Sequence, residues 1–255
     1  MSLRTSGILI PFIMLFLLLS GCSKDDGPSN HHASNKLPLG DSAADILAAD
    51  KYTSLKVDLV YVEEYTPSET ALYNLKLFLQ ERINKPGGIT ISKRSVEPTG
   101  GSSLTTSQIV DLEEQYRNEY TAGNTIAIFI LFYDGTSMNE ENEEIVLGTA
   151  YRNTSMIIYG KSVNQLSMHS GVPKSDIETT VLKHEFGHLF GLVNNGSPSQ
   201  SPHEDPESKA HCSSEGCLMN SSVEFGKGAL KMIKSSHRAE FDSGCLADLR
   251  ANGGK

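Results

Sequence analysis

Two histidines and a glutamate at positions 184–188 have the spacing of a zinc site. The segment reads His184-Glu185-Phe186-Gly187-His188 and lies in a run that patterns as a helix. Residues four apart lie one turn apart on the same helical face, so both imidazoles can bind one Zn²⁺. Glu185 beside them can take a proton from a water on that metal. The alternative is a pair of surface histidines with a solvated glutamate, and the residues downstream favour the metal site.

The chain after this segment supplies a helix stop and a further group of metal-binding residue types. Gly191 follows, and after an interval the chain reads His211-Cys212-x₄-Cys217-x-Met219. This order resembles the metzincin metallopeptidases, in particular the archaemetzincins, in which a third histidine and a Cys-x₄-Cys-x-Met segment follow the glycine. The resemblance implies that Gly191 ends the helix and turns the chain back toward the metal. It also implies that Met219 is the Met-turn residue, an apolar floor beneath the histidines.

The third metal ligand is where the sequence departs from that pattern. Asn194 occupies the expected position, and an amide is a poor ligand for Zn²⁺ beside imidazole. We interpret Asn194–Ala210 as an insertion that displaces the ligand to His211, which precedes Met219 by the spacing that the resemblance requires. His203 is the alternative third ligand.

A thermolysin-like site would instead take a glutamate from a later helix as its third ligand. Glu207 lies at a suitable distance along the chain. The stretch from Gly196 to Pro206 is rich in glycine, proline and serine and cannot readily form that helix. The metzincin pattern is therefore preferred.

The first residues predict export and a lipid anchor. Arg4 precedes an apolar stretch from Gly7 to Leu19, too short to span a membrane comfortably. Leu19-Ser20-Gly21-Cys22 then resembles a bacterial lipobox, in which the signal is cut before the cysteine and the cysteine carries the lipid. The alternative is an ordinary secretory signal with a chance cysteine. Lys24-Asp25-Asp26 resembles the tag of surface-exposed lipoproteins, so we expect an outer-membrane lipoprotein.

Three cysteines remain in the exported chain, and their pairing stays open. Cys212 and Cys217 could form a disulfide and leave Cys245 free, or Cys245 could pair with one of them, or all three could be buried thiols. The archaemetzincin resemblance implies a second, structural zinc held by four cysteines, but no Cys-x-x-Cys pair follows Met219. We therefore expect one catalytic zinc ion and no structural second zinc.

The domain organisation follows from composition. We predict a signal peptide over residues 1–21, a flexible tether rich in Ser, Asp, Asn and Gly over 22–46, and one metallopeptidase domain over 47–255. That domain would divide into an upper subdomain at about 47–191 and a lower subdomain at about 192–255. The formal net charge of −9 becomes −10 when Arg4 leaves with the signal, and this acidity argues against nucleic acid as a partner.

The order of predicted elements indicates an α/β (α+β) fold with a mixed, twisted sheet, packed by helices that include the active-site helix, as in zincins. A small C-terminal subdomain, partly helical over Glu224–Leu249, would follow. Thr66, Pro67 and Glu69 predict the N-terminus of the first long helix. The predicted strands are Ser54–Tyr65, Ile89–Val96, Thr125–Tyr133, Ile145–Tyr151 and Ser155–Tyr159, and the other predicted helices start near Thr105 and Ser175.

These assignments predict zinc-dependent hydrolysis of peptide bonds, with an endopeptidase as the leading interpretation. Glu185 would act as general base, and a strand at the cleft edge would hold the substrate extended. Tyr151 and Tyr159 are candidates by location for stabilising the oxyanion, whereas His169 and His237 have no spacing partners. The competing interpretation is a non-catalytic zincin-like surface lipoprotein that binds a protein or glycan. Expected partners are a peptide or protein substrate and, through the lipid, a membrane.

Overall fold

A five-stranded mixed sheet forms the centre of the computed structural model, which describes residues 32–138, 145–235 and 239–255. The strands lie in the order β2-β1-β3-β5-β4, and every neighbouring pair is parallel except β4 with β5. The predicted mixed sheet is thereby confirmed. The strands are β1 (Ser54–Val62), β2 (Gly88–Val96), β3 (Thr125–Tyr133), β4 (Gly148–Arg152) and β5 (Ser155–Tyr159).

Helices cover both faces of this sheet. Ile130 of β3 packs among residues of the second and fifth helices, while its neighbour Phe129 packs with the third helix, because successive strand residues point to opposite faces. The unbroken apolar sequence of β3 therefore places it at the centre of the sheet. The helices are α1 (Ala43–Leu47), α2 (Glu69–Arg82), α3 (Thr106–Tyr116), α4 (Gly160–Ser170), α5 (Lys174–Leu189), α6 (Gly226–Ser235) and α7 (Ser243–Ala251).

The ends of the helices agree only in part with the prediction. Thr105 caps α3 in a reciprocal capping box with Gln108, so this predicted start is confirmed. The predicted cap of α2 at Thr66 is wrong, because Ser68 accepts the hydrogen bond from the Ala71 amide. Glu69 is paired with Lys93 on β2 and does not reach back to the cap.

Two further elements differ from expectation. The strand predicted from Ile145 begins at Gly148, and just before it Ile145 and Leu147 are hydrogen-bonded to Gly226 and Glu224. Helix α4 was not predicted, since its buried apolar residues, Val163 and Leu166, are too few to form a recognisable stripe. The predicted C-terminal helical region is confirmed as α6 and α7.

The folded part of the chain begins before the predicted domain boundary. Residues 33–35 form a 3₁₀ turn, and α1 buries Ile46 and Leu47 in the core. The tether predicted over 22–46 is therefore too long, because more than half of it, residues 33–46, belongs to the folded domain. The predicted lipidation site, Cys22, lies outside the described residues. Within those residues, every helix is either too short or too polar to cross a bilayer.

Asn35 attaches this N-terminal segment to the sheet. Its amide nitrogen donates to Ala127 O at 3.2 Å and to the hydroxyls of Thr121 and Thr154, both at 3.0 Å. Its carbonyl oxygen accepts from the Thr121 amide at 2.9 Å. Asn35 is fully buried, so these contacts take the place of water.

Asn35→Ala should lower the free energy of unfolding by about 2–4 kcal/mol, because it leaves several buried polar partners unsatisfied. Denaturant unfolding of the soluble chain measures this change. Ser34→Ala is the control, since the Ser34 side chain is exposed. Equal stability of the two variants would mean that this segment is only loosely attached.

Candidate metal centre

Helix α5 places two histidines in the interior of the domain. Twelve of its 16 residues are buried, including His184, Glu185 and His188. The four-residue spacing sets the two imidazoles on one face, and their Nε2 atoms lie 3.2 Å apart. Two ligands of a tetrahedral zinc ion lie about 3.3 Å apart when each bond is about 2.0–2.1 Å long. The pair is therefore positioned to bind one cation.

Gly191 ends this helical segment in the left-handed region, with φ at +66°. A side chain would be strained there, and a Cβ atom would lie only 2.7 Å from the Cβ of Ala43. The chain then turns back, as the sequence predicted.

His211 approaches the same point from the loop before Met219. The candidate ligand atoms of His184, His188 and His211 all lie within 4.8 Å of one another. The Nε2 atom of His211 is buried and has no hydrogen-bond partner, as expected for a nitrogen that faces a metal. The structure therefore brings together the three histidines that the sequence favoured.

Hydrogen bonds on the opposite side of the rings fix which nitrogen faces the centre. Nδ1 of His184 donates to the carbonyl of Leu218 at 2.7 Å. Nδ1 of His211 lies 3.0 Å from the carbonyl of Lys209 and 3.0 Å from the hydroxyl of Ser208. Such bonds orient imidazole ligands and leave the Nε2 lone pair free for a cation.

Burial keeps these imidazoles neutral. It lowers the pKa of His184 to about 3 and lowers the pKa of His188 well below its ordinary value. The pKa of His211 is also lowered by burial. A metal binds the neutral form of histidine, so the site needs no deprotonation step near neutral pH.

Glu185 lies beside the histidines and points toward the sheet edge. Its Oε2 accepts a hydrogen bond from the Ala150 amide at 2.7 Å, while its Oε1 is buried without a partner. Gly148 leaves room for this carboxylate, since a Cβ there would lie 3.1 Å from Oε1. Burial, and next the nearby charge of Glu224, raise the pKa of Glu185 well above its usual range.

Glu224 is an ionisable residue at this centre that the sequence did not indicate. Its Oε2 lies 3.7 Å from Nε2 of His211. Burial raises the pKa of Glu224 to about 7, and a cation held by the histidines would favour its charged form. A lone glutamate five residues after Met219 has no spacing pattern, so only the folded chain reveals it.

Met219 lies against α5, where the Met-turn residue was expected. It is completely buried, and a Cβ atom on Gly187 would collide with its sulfur. The Met219 carbonyl accepts from the Cys212 amide at 2.7 Å, which ties this turn to the residue next to His211. Glycine within the His-Glu-x-x-His motif thus allows the close packing.

A second group of metal-binding side chains lies next to the first. Candidate ligand atoms of Cys212, Cys217, Asp242 and Cys245 lie within 4.8 Å of one another. The three cysteines are free thiols, so the disulfide that the sequence allowed between Cys212 and Cys217 is not formed. Asp242 and Cys245 have the spacing of a Cys-x-x-Cys pair with aspartate in the first position, which the sequence reading missed.

The surroundings of this second group fit a bound cation. Asp242 Oδ1 caps α7 by accepting from the Cys245 amide at 2.9 Å, and its Oδ2 lies 3.4 Å from the Cys212 sulfur. Main-chain amides of Met219 and Asp242 each approach the Cys217 sulfur at 3.4 Å. Hydrogen bonds from Cys217 and Cys245 lower the pKa of the Cys212 thiol. Thiolate and carboxylate are both ligands of Zn²⁺.

The alternative ligands lie elsewhere. Nε2 of His203 is 3.2 Å from the Asp248 carboxylate and 3.8 Å from the Cys245 sulfur, so His203 borders the second group. Asn194 holds the inserted loop, since its side chain contacts Glu204 at 3.3 Å and the Ser199 amide at 3.0 Å. Glu207 is exposed and belongs to neither group.

The remaining candidates from the sequence also lie away from the histidines. Tyr159 is buried in the cluster on the α3 face of the sheet, and Tyr151 packs against it, near Glu113. Their proposed role at the oxyanion is therefore wrong, because α5 covers the other face. His169 is exposed on α4, and His237 lies outside the described residues.

Comparison with known proteins gives the fold. No protein-family model and no curated protein sequence matches the chain. The structure is similar to that of the archaemetzincin from Methanopyrus kandleri, with a TM-score of 0.50 and 17% identity, over 78% of this chain and 96% of that chain. The fold is zincin-like.

Two further solved structures are similar to this zincin-like chain at lower scores. A zinc-dependent peptidase from Methanocorpusculum labreanum has a TM-score of 0.45 and 15% identity, over 76% of this chain and 99% of that chain. Metalloproteinase-II from Bacteroides fragilis has a TM-score of 0.39 and 17% identity, over 80% of this chain and 58% of that chain.

His211→Ala should remove about one zinc equivalent per chain relative to the parent protein, because two imidazoles alone bind Zn²⁺ weakly. His203→Ala is the matched comparison and should retain that zinc. Elemental analysis of the two purified variants after dialysis provides the measurement. Retention of the full metal content by His211→Ala would exclude it as the third ligand of this zincin fold.

Proposed function

We propose that this protein is a zinc-dependent peptidase. The observation that carries the proposal is the convergence of three neutral, buried imidazoles with Glu185 next to them. A binding module needs neither the unpartnered carboxylate oxygen of Glu185 nor the unpartnered Nε2 of His211. The likeness in fold to an archaemetzincin supports the same interpretation.

His184, His188 and His211 would hold the metal. When bound, Zn²⁺ supplies the positive charge that acidifies the attacking water and polarises the scissile carbonyl. Glu185 accepts the proton from that water through its free Oε1 and later donates it to the leaving amine. The raised pKa of Glu185 suits this exchange, because a buried carboxylate holds a proton more readily than an exposed one.

Strand β4 would position the substrate. It is an edge strand of the sheet and, among the described residues, pairs with β5 alone, so its outer edge can accept an extended peptide. The hydrogen bond from Ala150 of this strand to Glu185 links the edge directly to the general base. A peptide bound there would lie across the metal centre.

Glu185→Gln should lower kcat/KM for peptide hydrolysis by about 10²–10⁴-fold or more, because glutamine cannot accept the proton. The zinc content should stay at the parent level, since Glu185 is not a ligand. Glu207→Gln, which changes an exposed glutamate, is the control and should cleave like the parent. Parent-like cleavage by Glu185→Gln would exclude the general-base role.

We also infer that the second group of donors binds a structural zinc ion, contrary to the expectation from the missing Cys-x-x-Cys pair. Asp242 would complete the set with Cys212, Cys217 and Cys245. Because Cys212 directly follows His211, an ion at this position would also hold the third histidine in place.

Elemental analysis should give about two zinc ions per chain, and Asp242→Asn should weaken binding of the second ion. Asparagine still caps a helix, so this substitution separates metal binding from the capping of α7. Titration with a chelator measures the affinity for the second ion, and thermal unfolding reports whether the capping of α7 is retained. Equal affinity of the parent and Asp242→Asn for the second ion would remove Asp242 from the ligand set.

The predicted lipid on Cys22 completes the proposal. A lipid-anchored peptidase at the cell envelope would act on peptides or proteins at the membrane surface. The net charge of −9 also remains unfavourable for nucleic acid binding.

A further inference from the structure

Glu224 is a carboxylate at the metal centre whose role the proposed chemistry does not use. It ends the 3₁₀ turn Ser221–Glu224, shortly after Met219. Its Oε2 lies 3.7 Å from Nε2 of His211, and 27% of its side chain is exposed. Glu224 is therefore at once near the reacting position and open to a ligand.

The main chain around Glu224 is anchored to the cleft edge. The Leu147 amide donates to the Glu224 carbonyl at 3.1 Å, and the Gly226 amide donates to the Ile145 carbonyl at 2.9 Å. At the other end of the turn, Asn220 caps the segment and donates to the Cys212 carbonyl at 3.1 Å. The main chain that carries this carboxylate is thus held next to β4 and to the residue that follows His211.

The charge of Glu224 has no cationic partner among the residues that the structure describes. Its only ion-pair neighbour there is the imidazole of His211, which the proposed function assigns to the metal. Glu113 and Glu240, by contrast, are paired with Arg117 and Lys183. No basic side chain of the described residues therefore competes with a ligand for this carboxylate.

The direction of a bound peptide decides which part of it reaches Glu224. Strand β4 runs from Gly148 to Arg152, and residues 145–147 just before it are already paired with 224–226. A peptide that adds antiparallel to the free edge has its N-terminal part near Arg152 and its C-terminal part near Gly148. Its C-terminal part then meets Glu224.

We propose that Glu224 selects substrates with a lysine or arginine side chain just after the scissile bond. This inference rests on the proposed peptidase function and adds its substrate class. A charge-assisted hydrogen bond in this half-buried position would favour such a side chain over a neutral one. A glutamate at the same substrate position would be repelled.

Peptides that differ only in Lys, Gln or Glu after the cleaved bond test this inference, each with a free and an acetylated N-terminus. The zinc-loaded parent should prefer Lys over Gln by roughly 10–100-fold in kcat/KM, the factor expected for one charged hydrogen bond. Glu224→Gln should remove most of this ratio, and Glu224→Lys should shift the preference to Glu. Glu215→Gln is the control, because Glu215 is exposed and pairs with Lys231.

A binding measurement keeps the inference testable without hydrolysis. Calorimetry on zinc-loaded Glu185→Gln should show tighter binding of the Lys peptide than of the Gln peptide, and the further change Glu224→Gln should abolish that difference. Charge-selective binding without any cleavage by the parent would support this inference and contradict the peptidase function. The inference would be overturned if all peptides bound equally, or if the preference for Lys survived Glu224→Gln. It would also be overturned if that preference disappeared when the peptide N-terminus was acetylated.

Discussion

The burial of α5 is the constraint on which the rest of the structure depends. A helix that carries His184, Glu185 and His188 into the interior must find partners for each polar group, because an unsatisfied buried group is costly. The Leu218 carbonyl accepts a hydrogen bond from Nδ1 of His184, and the Ala150 amide donates one to Oε2 of Glu185. A shared cation would satisfy the Nε2 atoms that converge on one point, so the fold and the candidate metal site would stabilise one another.

The two groups of metal-binding side chains are joined through a single peptide bond. His211 turns toward the histidines of α5, whereas Cys212 turns toward Cys217, Asp242 and Cys245. Ala210, just before them, has a positive φ of 61°, a conformation that costs energy for a residue with a side chain. Metal ions bound on both sides of this segment would hold Ala210 in that conformation. An ion in one group would thereby help to keep the side chains of the other group in place.

Electrostatics at the cleft follow from the same arrangement. Glu185 and Glu224 bring two carboxylates to a region whose imidazoles are neutral, and the pKa of each is raised; a cation on the three histidines would stabilise their charged forms. The inserted loop adds no positive charge there. His203 turns instead toward Asp248, and Asn194 contacts Glu204. The loop thus packs beside the second group.

Local spacing in the sequence determined the helical face of His184 and His188, the stop at Gly191, the capping box of α3 and the buried central strand β3. Each of these depends on residues within a few positions of one another, through helical or strand periodicity. Only the tertiary structure placed His211 rather than His203 beside α5, added Asp242 and Glu224, and turned Tyr151 toward the opposite face. These contacts join residues far apart in the chain, and the paths of the loops between them are fixed by packing of the whole domain rather than by any local pattern.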